Sequence, residues 1–348
     1  MASSSESGAG RASPPTVAPL TEVLRGDVVE SRHRGSIAVV DADGRLLDEV
    51  GDVDLVTYWR SSAKPLQALL VITTGAADRF GLEPKHLAVM CASHAGRDYH
   101  VEAVTEALER AGVPTSALRC EVPERSAPRH GCSGNHTGML VTARHLGEPL
   151  DTYPNPDHPV QRRIRQVLGT LGDVEPASIP TASDGCSVPT FAMSLRQMAL
   201  AFARLIDPEG LDEPLRGACR RIVAAMQAHP DLLAGAEGDT RNLTSALVRT
   251  LSPTLVGKSG AESIFCVGLR PGTLGPRGVG IVVKAEDGGF APRSCYLATV
   301  EALRQLGVAS AEQVRALDPY LERTIRNVHG QVVGGARPCF RLGSVGRR

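Results

Sequence analysis

Strand-like and helix-like stretches are segregated along this chain, and that segregation constrains the fold more than any other feature. Arg34 to Val40 and Arg45 to Val50 are short runs split by Asp41-Ala42-Asp43-Gly44, a turn composition, so they read as a β-hairpin. Near the other end, Leu255 to Glu262 sits at a strand or turn and Gly278 to Lys284 reads as a strand. Between them the chain is helical by period. His100 to Ala111 carries Val101, Val104 and Leu108 on one side, and Leu215 to Ala228 turns Cys219, Ile222 and Met226 inward. Gly138 to Leu146, Val160 to Leu168, Phe191 to Leu205 and Leu243 to Leu251 follow the same period, as does Cys295 to Leu306 beyond the last strand. Leu87 to Ala92 is a short apolar run that suits a buried strand. Strands at both ends with helices between imply α+β layering, the terminal strands pairing in one sheet.

The 348 residues suffice for one large or two modest domains. Residues 1–18, rich in Ser, Gly, Ala and Pro, read as a disordered tail, leaving 19–348 as a single domain. Pro123 to Cys132 is a basic loop. The charge balances, 38 basic against 38 acidic residues, which argues against nucleic-acid or anionic-membrane partners. With no signal-peptide pattern and no apolar run of membrane-spanning length, a cytoplasmic location is expected. The eight cysteines are scattered without a C-x-x-C and read as reduced thiols.

Tyr58-Trp59-Arg60-Ser61-Ser62-Ala63-Lys64-Pro65 holds the only tryptophan and a Ser-x-x-Lys pair ahead of the apolar run Leu66 to Ile72. If that run is a helix, Ser61 and Lys64 share a face in its first turn, where a neutral amine could take the serine's proton. Pro65 suits a first turn but biases Lys64 away from helical dihedrals. Ser133-Gly134-Asn135 and Lys258-Ser259-Gly260 follow. In order, the three patterns resemble the signatures of serine β-lactamases and penicillin-binding proteins, in which a serine attacks a carbonyl and an asparagine holds the substrate amide.

Cys132 and Cys186 each sit in a glycine-flanked polar turn, where two thiolates with a donor from Asn135, His136 or His130 could hold zinc; two buried core cysteines are the plainer reading. Ser93-His94 lies in a small-residue turn after the apolar run Leu87 to Ala92. Turn capping accounts equally well for Ser93 and for Asp184.

Six ordered stretches then match one family: 31–35, 60–69, 91–96, 130–140, 184–189 and 257–262. Over about residues 19 to 335 the chain resembles the asparaginase II family. The resemblance implies a fold similar to serine β-lactamases, with a central, mostly antiparallel sheet and helices packed on it. It also implies a homodimer and hydrolysis of L-asparagine to L-aspartate and ammonia. Carried over residue by residue, it implies two Ser-Lys pairs, Ser61 with Lys64 and Ser93 with Lys258. It implies metal-binding cysteines at Cys132 and Cys186, and further site positions at Arg60, His136 and Asp184.

One departure matters: where the family has Cys-Ser-Gly-Lys-His, this chain has Asn135. An amide oxygen is a poorer zinc ligand than a neutral amine, so zinc is expected to bind weakly or not at all, with His136 as the substitute donor. Two lysines near one serine repel each other's protons, pushing one toward neutrality and base chemistry. Ser61 is the favoured nucleophile, with Ser93 as relay or alternative. Asn135 would meet the substrate amide and Arg60 its α-carboxylate. Two rival readings stand beside this: a β-lactamase-like hydrolase of another small amide, and a non-enzymatic amino-acid or metal-binding homologue.

Overall fold

The computed structural model describes residues 16–120, 126–239 and 241–343. Residues 1–15 of the expected tail and 123–125 of the basic loop lie outside that set.

The chain opens with three antiparallel strands, β1 (Ala18–Arg25), β2 (Val28–Asp41) and β3 (Leu46–Val50), with Ile37 of β2 opposite Val50 of β3. The Asp41 carboxylate accepts from the backbone N–H of Asp43 and Arg45, closing the hairpin turn that the sequence signals. A short strand β4 (Val56–Tyr58) leads into the helical segment: α1 (Lys64–Gln67), α2 (Leu69–Thr73), α3 (Ala76–Arg79) and α4 (Pro84–Met90). Next come α5 (Asp98–Arg110), α6 (Ser133–Leu146) and α7 (Pro159–Gly172). The strands β5 (Thr181–Ser183) and β6 (Pro189–Ser194) pair with each other, and β4 pairs with β6, in a separate three-stranded sheet. Helices α8 (Leu195–Ile206), α9 (Leu215–Ala228) and α10 (Leu243–Leu251) complete the insertion.

The chain then returns to the first sheet with β7 (Leu255–Gly260), β8 (Ile264–Leu269) and β9 (Val279–Ala285). It ends with α11 (Cys295–Gln305), α12 (Ala311–Leu317), β10 (Ile325–Arg326) and β11 (Val332–Pro338). The large sheet runs β10-β11-β1-β2-β9-β8-β7 with β3 also on β2, every pairing antiparallel. First and last long strands are neighbours, Thr21 opposite Pro338, as the segregated pattern implies. Consecutive residues Ile37 to Val40 are wholly buried, so both faces of the sheet are covered. Helices α8 and α11 both pack on it. Gly280 lets α8 lie close: a Cβ there would meet the Ala199 carbonyl at 1.7 Å.

Two expectations need correction. Leu87 to Ala92 is not a strand; most of it is the last turn of α4, with Pro84 in the first turn and a capping box between Glu83 and His86. The apolar run is unbroken because every residue from His86 to Ala92 is buried, which hides the helical period. Likewise Phe191 to Ser194 belongs to β6, and α8 starts only at Leu195, where Ser194 and Gln197 form a capping box.

Candidate active site

Trp59 anchors the turn that carries Ser61. Its indole is wholly buried and stacks on Phe202 at 6.1 Å, while its backbone N–H donates to Phe191 O. Arg60 then adopts φ 47°, a left-handed conformation that costs a bulky residue energy and tends to persist at functional sites. The following 3-10 turn, Arg60–Ala63, runs into α1, and Lys64 is helical (φ −56°, ψ −39°) despite the proline after it. Strand β7 lies against this turn because Gly260 has no side chain: a Cβ would stand 2.9 Å from Trp59 O and 3.0 Å from Ser62 N. That approach brings Lys258 toward α1.

The two lysines meet at Ser93, just beyond α4. Lys64 Nζ lies 3.0 Å from Ser93 Oγ and Lys258 Nζ lies 2.9 Å from it. Lys64 also donates to Ala92 O (2.8 Å) and contacts Cys132 Sγ (3.3 Å), and Lys258 donates to Ser259 O (2.8 Å). Lys258 is wholly buried; burial first, then the Lys64 charge, hold its amine well below the ordinary lysine range. A buried amine of that kind is suited to accept a proton from the hydroxyl it touches. Ser61 and Ser93 line one cavity of about 360 Å³, together with Asn242, Ser259, Glu262 and Phe290. Ser61, Lys64, Ser93 and Lys258 are thus gathered in one place, with the hydrogen bonds of both lysines converging on Ser93 rather than Ser61.

Arg60 Nε donates to Asp184 Oδ1 at 2.9 Å, and its Nη1 lies 3.5 Å from Glu262 Oε1. Ser133 and Asn135 are buried on α6. Ser133 Oγ donates to Pro128 O and meets His94 Nε2, and Asn135 Nδ2 donates to Gln67 Oε1 at 2.9 Å. The serine between the two lysines is therefore Ser93, not the Ser133 of the Ser-x-Asn pattern. His94 is stacked on His100 at 4.7 Å and accepts from Gly96 N through Nδ1. Burial depresses its pKa to about 3, so it stays neutral and supports the turn. Sequence reasoning assigned no role to Asn242 or Glu262, although Glu262 closes the quoted stretch 257–262.

Cys132 precedes α6, and its thiol shares a hydrogen bond with that of Cys186. That bond, with help from the Lys64 charge, lowers the Cys132 pKa, while the same bond raises that of Cys186. His136 Nδ1 meets the Tyr153 hydroxyl at 2.5 Å; its Nε2 is buried with no partner among the described residues. Structural zinc wants four tetrahedral ligands. Among the described residues no three His, Cys, Asp or Glu side chains are grouped to hold a metal; beside the two thiols stands the Lys64 amine, 3.3 Å from Cys132 Sγ.

A family model described as L-asparaginase II matches residues 21–338. No curated protein matches the chain. Among solved structures, a probable glutaminase from Bacillus subtilis complexed with 6-diazo-5-oxo-L-norleucine is similar at 14% identity. The match covers 77% of this chain and 83% of that one, with a TM-score of 0.37. A β-lactamase from Burkholderia vietnamiensis is similar at 16% identity, covering 80% and 93%, with a TM-score of 0.42.

Proposed function

Since the chain belongs to the L-asparaginase II family of amidohydrolases, we propose that it hydrolyses the side-chain amide of L-asparagine to L-aspartate and ammonia. The observation that carries this reading is the Ser93 hydroxyl held between the amines of Lys64 and Lys258 in a cavity shared with Ser61. In the proposed course Ser61 attacks the amide carbonyl and its proton passes to Lys64. A tetrahedral oxyanion forms, and Ser93 relays a proton between the lysines toward the departing ammonia. Water then hydrolyses the acyl-enzyme. Arg60, fixed by Asp184, orients the entering amino acid, and Asn135 supports α1 through Gln67. Zinc is proposed to bind weakly or not at all, and no step depends on it. A homodimer is the proposed assembly, which light scattering after gel filtration checks.

A second reading has its own support: the depressed amine of Lys258 touches Ser93, which favours Ser93 as the attacking group. Ammonia release from asparagine, glutamine and a β-lactam by purified protein tests the activity. Ser61→Ala and Ser93→Ala are each expected to cut asparagine turnover by about 10²-fold or more, since groups acting as a unit fail together. Quenched-flow mass spectrometry of the acyl-enzyme then separates the two serines. A mass increment on the Ser93 peptide would reverse the assignment made here, and absence of ammonia from every amide would end it.

A further inference from the structure

We propose that Glu262 binds the α-ammonium group of the substrate and so restricts the site to amides of free amino acids. The inference rests on the reading of this cavity as an amide-hydrolysing site and deepens it. Among the described residues lining the cavity, Glu262 is the only one with a charged side chain. It follows β7 by two residues, four beyond Lys258, so the strand that delivers the buried amine also delivers the carboxylate. Its side chain packs over Gly288: a Cβ on that glycine would stand 3.0 Å from Glu262 Cβ and 3.2 Å from Oε2.

The ion pairs at this corner leave a carboxylate available to a cation. Arg60 faces two carboxylates, Asp184 and Glu262, while Lys284 donates to the Glu262 backbone carbonyl at 2.7 Å and not to its carboxylate. The contacts are unequal. Asp184 accepts at 2.9 Å, whereas Glu262 stands 3.5 Å from Arg60 with its side chain 69% exposed. Glu262 can therefore turn to an incoming ammonium while Arg60 keeps its closer partner. Lys64 and Lys258 gather at Ser93, where a second cation would be repelled. Attraction at Glu262 and repulsion at Ser93 thus orient a substrate the same way, with its ammonium on Glu262 and its amide on the serines.

The test compares L-asparagine with succinamate, the same amide without the α-amine, on wild type and Glu262→Gln. In wild type, asparagine should be preferred by about tenfold or more in kcat/KM, the scale of one charge-assisted hydrogen bond. Glu262→Gln should raise KM for asparagine by a similar factor, leave succinamate unchanged and remove the preference. A variant that keeps the full preference overturns the proposal. Thermal shift with L-aspartate against succinate reads the same contact without turnover. Stabilisation by aspartate but not succinate, lost in Glu262→Gln, supports the ammonium site even if asparagine releases no ammonia, an outcome that sinks only the asparaginase reading. Equal stabilisation by the two ligands, or none by aspartate, overturns the ammonium site.

Discussion

In the proposed mechanism Lys258 carries a heavy chemical demand. It is buried, its pKa is depressed, and its amine touches Ser93. Arginine keeps the charge but cannot give up its proton at working pH, so Lys258→Arg should lower kcat/KM for asparagine by about 10²–10⁴-fold. Activity near wild type in a folded Lys258→Arg protein would show that a fixed charge suffices. Asn135 is the second informative residue. Asn135→Lys should tighten zinc binding, more so at higher pH, because amine and thiols bind metal only when deprotonated. Chelator competition on wild type, Asn135→Lys and the control His136→Ala measures it. Stoichiometric zinc in wild type, unmoved by either change, would clear Asn135 of weakening the site. Ser61-x-x-Lys64 was legible from local spacing, and Lys258 from its triplet. The meeting of both lysines on Ser93 was legible only as an implied pairing with one of them. Lys64 lies on α1, Ser93 in the loop after α4 and Lys258 on β7, and no local pattern encodes which serine falls between the lysines.

At the level of elements, Leu215–Ala228 matches the sequence reading because exposed polar residues punctuate its buried face. Leu243–Leu251 matches as well, although only Arg249 and Thr250 of it are not buried. Helix α4 and strand β6 were misread: buried runs show no period, and only Pro84 and Ser194 mark their boundaries. Strands β1, β8 and β11 went unassigned in the sequence reading. The joint between α8 and the sheet offers a direct test. Gly280 faces Gly268 across β8 and β9, and a Cβ on either would press into α8 backbone carbonyls. Gly280→Ala should therefore cost about 1–3 kcal/mol or more of stability, because the helix must move off the sheet. Urea unfolding measures it, and an unchanged midpoint would mean that α8 yields without cost.

Across the whole molecule, buried histidines set the acid limit of stability. Burial lowers the pKa of His94 to about 3 and those of His100 and His136 to about 4, against about 6.5 in an unfolded chain. Below about pH 6.5 the unfolded state takes up protons that the folded state refuses. The histidine contribution is thus complete above that pH and declines as pH falls toward about 4; from about pH 4.5 downward Glu106, depressed by its bonds to Lys85 and Arg110 to about 2, adds to the loss. Urea midpoints at pH 7.5, 5.5 and 4.5 should fall in that order; a flat series would contradict it. The chain's layout has a further consequence. Lys64 and Ser93 belong to the helical insertion, whereas Lys258 belongs to the sheet built from the two ends of the chain. On the proposed mechanism, turnover is therefore a gauge of the seam between them. A parting of one or two ångströms would separate Lys258 from Ser93 while every helix and strand stayed intact, so turnover would vanish before any spectroscopic sign of unfolding.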